Sequence, residues 1–389
     1  MRTDVLIVGA GPAGLAVAAC LKRAGVEATV VDRGPSVGQS WSTRYDRLHL
    51  HTPRIQSALP GLRMPRKFGR WVSKDDMAYY LRVYAREHGI TPLFGTEVGR
   101  LERLPDGWVA ATTAGEFTAR QVVLATGYAH SRAQTGWPGQ ERFPGRIVHA
   151  TEYRNAEGFA GLRVLVVGAG NSGAEIAADL AEHGAASVHL AIRTPPNVIP
   201  RQFGPVPATL LAMPMDYLPA PLVDPVNRLL QRIALGDLTR YGMPAPQAGV
   251  VAQVRATGVT PTIDVGLVAA LRAGTVVPVA ALECFDGAEA VLSDGERLMP
   301  DAVVVASGYT PALHPLVGHL DVLDARGVPL AAGGRTVPGA PGLRFVGLFN
   351  PLKGQLFQIG MDARSASRAV ARELSATRWR QAVEPIRSA

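Results

Sequence analysis

Apolar residues fall in short runs divided by glycine-rich turns, and the runs repeat one grammar. Asp4 to Val8 reads as a strand buried on both faces of a parallel sheet. Gly9-Ala10-Gly11-Pro12-Ala13-Gly14 is a turn, and Leu15 to Ala24 is an alanine-rich helix with Gly25 as its stop. Ala28 to Val31 is a second strand, closing on Asp32. The pattern returns 159 residues later: strand Val164 to Val167, turn Gly168-Ala169-Gly170-Asn171-Ser172-Gly173, helix Ala174 to Glu182, stop Gly184, strand Ser187 to Ile192. Two such βαβ units predict an α/β fold with two dinucleotide-binding, Rossmann-like domains.

Between and beyond the units the pattern predicts a helix over Tyr79 to His88, alternating strands over Gly107 to Thr118 and a buried strand over Gln121 to Ala125 running into Thr126-Gly127. Asp301 to Ala306 is a matching strand that runs into Ser307-Gly308-Tyr309. Gly342 to Gly347 reads as a strand and Asp362 to Leu374 as a helix. Pro195 to Val259 is proline-rich and the least regular stretch, with one helix expected at Pro225 to Leu235.

Composition narrows the function classes. The 389 residues are 47% hydrophobic and 19% charged, enough for two or three packed domains. The net charge is +8, yet basic residues are dispersed and the only lysines are Lys22, Lys67, Lys74 and Lys353, so no nucleic-acid partner is expected. The two cysteines, Cys20 and Cys284, sit in unrelated contexts, which removes a disulfide scaffold, a CxxC redox pair and a thiolate metal site; no metal is expected. The apolar start lacks a basic leader and no run is long enough to span a membrane, so a cytoplasmic protein without a membrane partner is expected. The sequence leaves oligomeric state open, a homodimer included.

In each turn the first glycine permits the bend, the second lets backbone approach a pyrophosphate, and the third lets helix and strand pack closely. Gly9, Gly11 and Gly14, with Pro12 and Ala13, form one such cradle; Gly168, Gly170 and Gly173, with Asn171 and Ser172, form the other. Asp32 stands 18 residues after Gly14, where a carboxylate accepts from ribose hydroxyls; Arg33 follows it. The matching position of the second unit, 20 residues after Gly173, is Arg193, suited to a 2′-phosphate, with Arg201 as a candidate second contact. A 2′-hydroxyl dinucleotide beside NADPH suggests FAD reduced by NADPH.

Phe143-Pro144-Gly145-Arg146-Ile147-Val148-His149-Ala150-Thr151-Glu152-Tyr153 fits FxGxxxHxxxY, and it lies just before the second turn. This resembles the flavin-containing monooxygenases, a group of class B flavoprotein monooxygenases. Trp41 with Arg44 to His51, Gly236-Asp237 through Gly258 to Gly266, Leu124 to Tyr128 and Ala306 to Tyr309 resemble the YUCCA-like indole-3-pyruvate branch. Asn350 to Gln355 departs from that branch in the segment expected to close over flavin and substrate. The resemblance implies an NADPH domain (154–305, with an irregular insertion) set into an FAD domain (1–153 and 306–389). It also implies flavin-side contacts from Trp41, Arg47, Leu48, His51 and Gln355, with the linkers Thr126-Gly127 and Ser307-Gly308 near the nucleotides.

It implies further that a C4a-(hydro)peroxyflavin oxygenates a small substrate with O2. His51 stands where many nitrogen- and sulfur-oxygenating relatives have asparagine, which points to a 2-oxo acid or other carbonyl compound. His51, His149 and Tyr153 are the candidate catalytic groups, the last two also as positioning residues. Oxygenation of a small amine or sulfide, a plain NADPH oxidase or flavin reductase, and a non-catalytic redox sensor stay open as alternatives.

Overall fold

The computed structural model describes residues 1–387 other than 130, 134, 135 and 216, with side chains through Ala376. The strand Arg2–Val8 lies between Thr29–Val31 and Gly115–Leu124, parallel to both, which explains its apolar character on two faces. Its partner Gly115–Leu124 is long enough to serve two neighbours. Near its start it pairs with Gly107–Thr112, which in turn pairs with Val98–Leu104, both antiparallel. Its end pairs with Leu343–Phe345, in parallel. The strand expected at Gln121 is thus the continuation of the preceding one, and a six-stranded sheet results.

Helix Pro12–Arg23 begins with a proline in its first turn, where the missing N–H costs nothing, and ends with Lys22 and Arg23 against the negative end of the helix dipole. Its alanine-rich face packs on the long helix Gln355–Arg387 through Ala16, Val17, Ala363, Ala366 and Val370. The last segment of the chain therefore returns to the first sheet, and the second unit is an insertion.

That unit has its own sheet of five strands, all parallel, in the order Val276–Val279, Ser187–Ala191, Arg163–Val167, Ala302–Val305, Arg146–His149. The strand Arg146–His149 precedes the boundary drawn from sequence at residue 154, yet it is hydrogen-bonded into the second sheet through Ala302–Val305. Its short, half-exposed edge character gives no signal of which sheet it joins. The two linkers meet as well, Ser131–Arg132 running antiparallel to Tyr309–Thr310.

The proline-rich stretch is more ordered than its composition suggests. It holds helices Ala208–Met215, Ala220–Leu235 and Val250–Thr257, and Val198–Pro200 pairs with Thr262–Asp264. Among the described residues no helix is long and apolar enough to cross a membrane.

Candidate active site

The two turns are superposable in their steric logic. A Cβ on Gly9 would stand 2.4 Å from the Ala125 carbonyl oxygen, and one on Gly168 would stand 2.6 Å from that of Ala306. A Cβ on Gly14 or Gly173 would strike the carbonyl oxygen of Gly9 or Gly168 at 1.8 Å in each case. The middle glycines differ: a Cβ on Gly11 or Gly170 would meet nothing within 4 Å. The first and third glycines are thus required by the protein itself, whereas the middle ones face open space at a helix N-terminus, the room a pyrophosphate needs.

Around Gly9, Gly11, Pro12 and Ala13 opens a cleft of about 460 Å³ that also takes in Asp32, Arg33, Trp41, Leu48, His51, Thr126, Gly127 and Gln355. Asp32 accepts from the backbone N–H of Ala10 at 2.6 Å and of Gly34 at 2.7 Å, which holds its carboxylate beside the turn. Arg33 is paired at 3.7 Å with Glu97 at the rim. His49 lines this cleft together with His51, because no strand forms there to place alternate residues on opposite sides.

The second cleft, about 750 Å³, is lined by Gly168, Gly170, Asn171, Ser172, Arg193, His149, Ser307 and Gly308. Arg193 is exposed at its edge. Ser307 Oγ and His149 Nε2 are buried in it without a hydrogen-bond partner, polar groups suited to a bound nucleotide. Burial, and next the charge of Arg132, lower the pKa of His149 below its ordinary value.

A third cavity of about 240 Å³ lies between the clefts. It shares Trp41, Leu50, His51 and Gln355 with the first, and Asn171, Thr260 and Asn350 with the second. Its remaining wall comes largely from helices Ala208–Met215 and Ala220–Leu235 and is mostly apolar. Two nucleotide clefts thus open onto one apolar chamber, with His51 at the mouth. His51 Nε2 lies 2.8 Å from Oε1 of Glu175, which is 2% exposed, and His51 Nδ1 is buried without a partner.

A family described as pyridine nucleotide-disulphide oxidoreductase matches residues 6–200. Indole-3-pyruvate monooxygenase YUCCA8 of Oryza sativa subsp. indica is 38% identical over 317 residues, 78% of this chain and 75% of the relative. Probable indole-3-pyruvate monooxygenase YUCCA9 of Arabidopsis thaliana is 35% identical over 351 residues, 88% of this chain and 83% of the relative. The chain belongs to the flavin-containing monooxygenase family, in its YUCCA-like branch. Its fold matches a flavin-containing monooxygenase from Stenotrophomonas maltophilia at a TM-score of 0.73 and 24% identity, covering 96% of this chain and 99% of that one. Oxidised steroid monooxygenase bound to NADP matches at 0.75 and 19%, covering 98% and 86%.

This flavin-containing monooxygenase uses FAD and NADPH, and the two clefts fit them. Disulfide chemistry is not supported by its cysteines: Cys20 on the first helix and Cys284 in a distant hairpin are both free. Three residues expected in the site lie elsewhere. Arg47 turns away from the flavin cleft to Glu182 at 3.1 Å, Asp179 at 3.5 Å and the Val265 carbonyl at 3.1 Å, bridging the two domains. Arg201 stacks over Trp71 at 4.2 Å and donates to the Leu50 carbonyl at 2.6 Å, outside the NADPH cleft; burial there lowers its pKa to about 10. Tyr153 is 1% exposed in the core of the second domain, where it donates to Asp179 at 2.6 Å, and burial raises its pKa. It lines none of the three cavities and packs in the core of the second domain.

Sequence reasoning missed Glu175. On a helix just past a glycine turn it reads as a solvated acid, and only the approach of His51 from the other domain shows otherwise. Tyr309 was seen as part of a linker; the structure adds that it borders both nucleotide clefts and accepts from Arg44 at 2.5 Å.

Proposed function

We propose that this monooxygenase oxidatively decarboxylates an aryl-substituted 2-oxo acid of the indole-3-pyruvate type. The supporting observation is the apolar chamber joined to both cofactor clefts with a histidine–carboxylate pair at its mouth. The two glycine turns with Asp32 and Arg193 hold the cofactors. When bound, NADPH supplies hydride and FAD the activation of oxygen.

The apolar wall excludes water from the chamber. The buried carboxylate of Glu175, 2.8 Å from His51 Nε2, orients the imidazole and leaves Nδ1 to take up a proton at the mouth. Removing a proton there favours addition to a carbonyl carbon over oxygen transfer to an amine or sulfide. In the overall reaction the bond between ketone carbon and carboxylate breaks and CO2 leaves. One oxygen atom of O2 enters the new carboxylate, and the other becomes water with two electrons from NADPH. The free cysteines accord with a reducing, cytoplasmic setting.

The test is turnover of the FAD-loaded protein with NADPH, 18O2 and indole-3-pyruvate. Labelled indole-3-acetate and CO2 in step with NADPH consumption are expected. Stoichiometric hydrogen peroxide with no acid formed, or turnover of amines or sulfides alone, would overturn the reading.

A further inference from the structure

The chamber must recognise an anionic acid without an arginine or lysine, since none among the described residues lines it. Most of its polar groups are already engaged. Asn171 donates to the Pro261 carbonyl and accepts from Ile263 N–H, Thr209 donates to Gln56, and Gln355 donates to the Gly347 carbonyl. Gln231 is different. Its Nε2 is buried and has no acceptor among the described residues. It lies on helix Ala220–Leu235, one turn after Asn227, so both residues line the chamber from one side of the helix.

A buried donor left without an acceptor destabilises the folded protein relative to an apolar side chain of similar size. Gln231 is therefore poorly accounted for as a packing residue and well accounted for as a ligand contact. We infer that Gln231 is the specificity-determining anchor of the substrate: its amide N–H donates to a carboxylate oxygen of the 2-oxo acid, with Asn227 beside it. This rests on the reading of the chamber as a 2-oxo acid site. With Nε2 turned to the ligand, the amide donates to carboxylate oxygens and has no acceptor to meet in a protonated amine, so it favours the acid over the amine. Leu211, Ala212, Met215 and Leu230 line the same wall and suit the aryl ring.

The experiment compares wild type, Gln231→Leu and Gln231→Glu in two measurements: the KM and kcat for indole-3-pyruvate, and the shift in Tm caused by indole-3-acetate. Loss of a hydrogen bond to a charged group raises KM between about tenfold and about a hundredfold in Gln231→Leu. The Tm shift by indole-3-acetate is lost in that variant, while its Tm without ligand is not lowered. Gln231→Glu, which sets like charges together, binds the acids more weakly still. An unchanged KM and an unchanged Tm shift in Gln231→Leu would overturn the inference, as would a Tm loss without ligand in both variants that matches their KM change. A wild type that is stabilised by indole-3-acetate through Gln231 yet does not turn over indole-3-pyruvate would sink the reaction assignment and leave the anchor standing.

Discussion

His51 Nε2 and Glu175 Oε1 stand 2.8 Å apart, and the contact joins the two domains at the point where their clefts open onto the apolar chamber. Glu175 belongs to helix Asn171–Glu182 of the second domain, whereas His51 lies in an irregular segment of the first. If the carboxylate orients the imidazole, Glu175→Gln replaces that partner with little change in shape. The kcat for acid formation is expected to fall about tenfold or more, with a larger share of NADPH oxidation ending as hydrogen peroxide. The ratio of product to peroxide reads this directly, and an unchanged ratio would refute the role.

The glycine geometry separates folding from binding. Gly14→Ala places a methyl 1.8 Å from the Gly9 carbonyl oxygen, a clash with backbone that the turn cannot absorb. Gly11→Ala meets nothing within 4 Å. The first variant is therefore expected to lose folded yield, whereas the second folds but retains FAD poorly because its methyl occupies pyrophosphate space. Expression yield and the ratio of flavin to protein check both.

Arg193 stands at the edge of the second cleft, at the end of the second strand of its unit. As the contact to a 2′-phosphate, its replacement by alanine raises the KM for NADPH between about tenfold and about a hundredfold and that for NADH by much less. Equal changes for both nucleotides would remove it as the selector.

His149 is buried, and its pKa lies below the ordinary value, first through burial and then through Arg132. The fold thus disfavours its protonated form. The stability tied to it is present above the unfolded-state pKa of about 6.5 and is lost as pH falls through the lower folded-state value. A profile of Tm against pH between about 7 and about 5 should therefore fall less steeply in His149→Gln than in wild type. Parallel profiles would contradict this.

The fold was legible because its signals are local. A strand buried on two faces, a turn whose first and third glycines are forced by backbone contacts, and a helix started by Pro12 all act within some thirty residues, and two copies leave little choice of architecture. Helix ends were less legible. Lys74–Glu87 begins five residues before the stretch read as helical, since its start is set by the Ser73 cap accepting from Asp76 N–H at 3.1 Å. The geometry of the two turns was likewise legible, because glycine sterics tie sequence directly to backbone.

Side-chain direction was not. Arg47, Arg201 and Tyr153 have the residue types of a site, but each turns to partners supplied by other segments: Glu182 for Arg47, Trp71 for Arg201 and Asp179 for Tyr153. Glu175 and Gln231 carry no motif at all; one is marked by a histidine from the other domain, the other by the absence of an acceptor in a buried wall. The sequence by itself determined two glycine turns, their order and the charged residue that follows each unit's second strand, because those depend on short-range backbone geometry. Only the tertiary structure decided which polar groups face the chamber between them, because that depends on segments brought together from far along the chain.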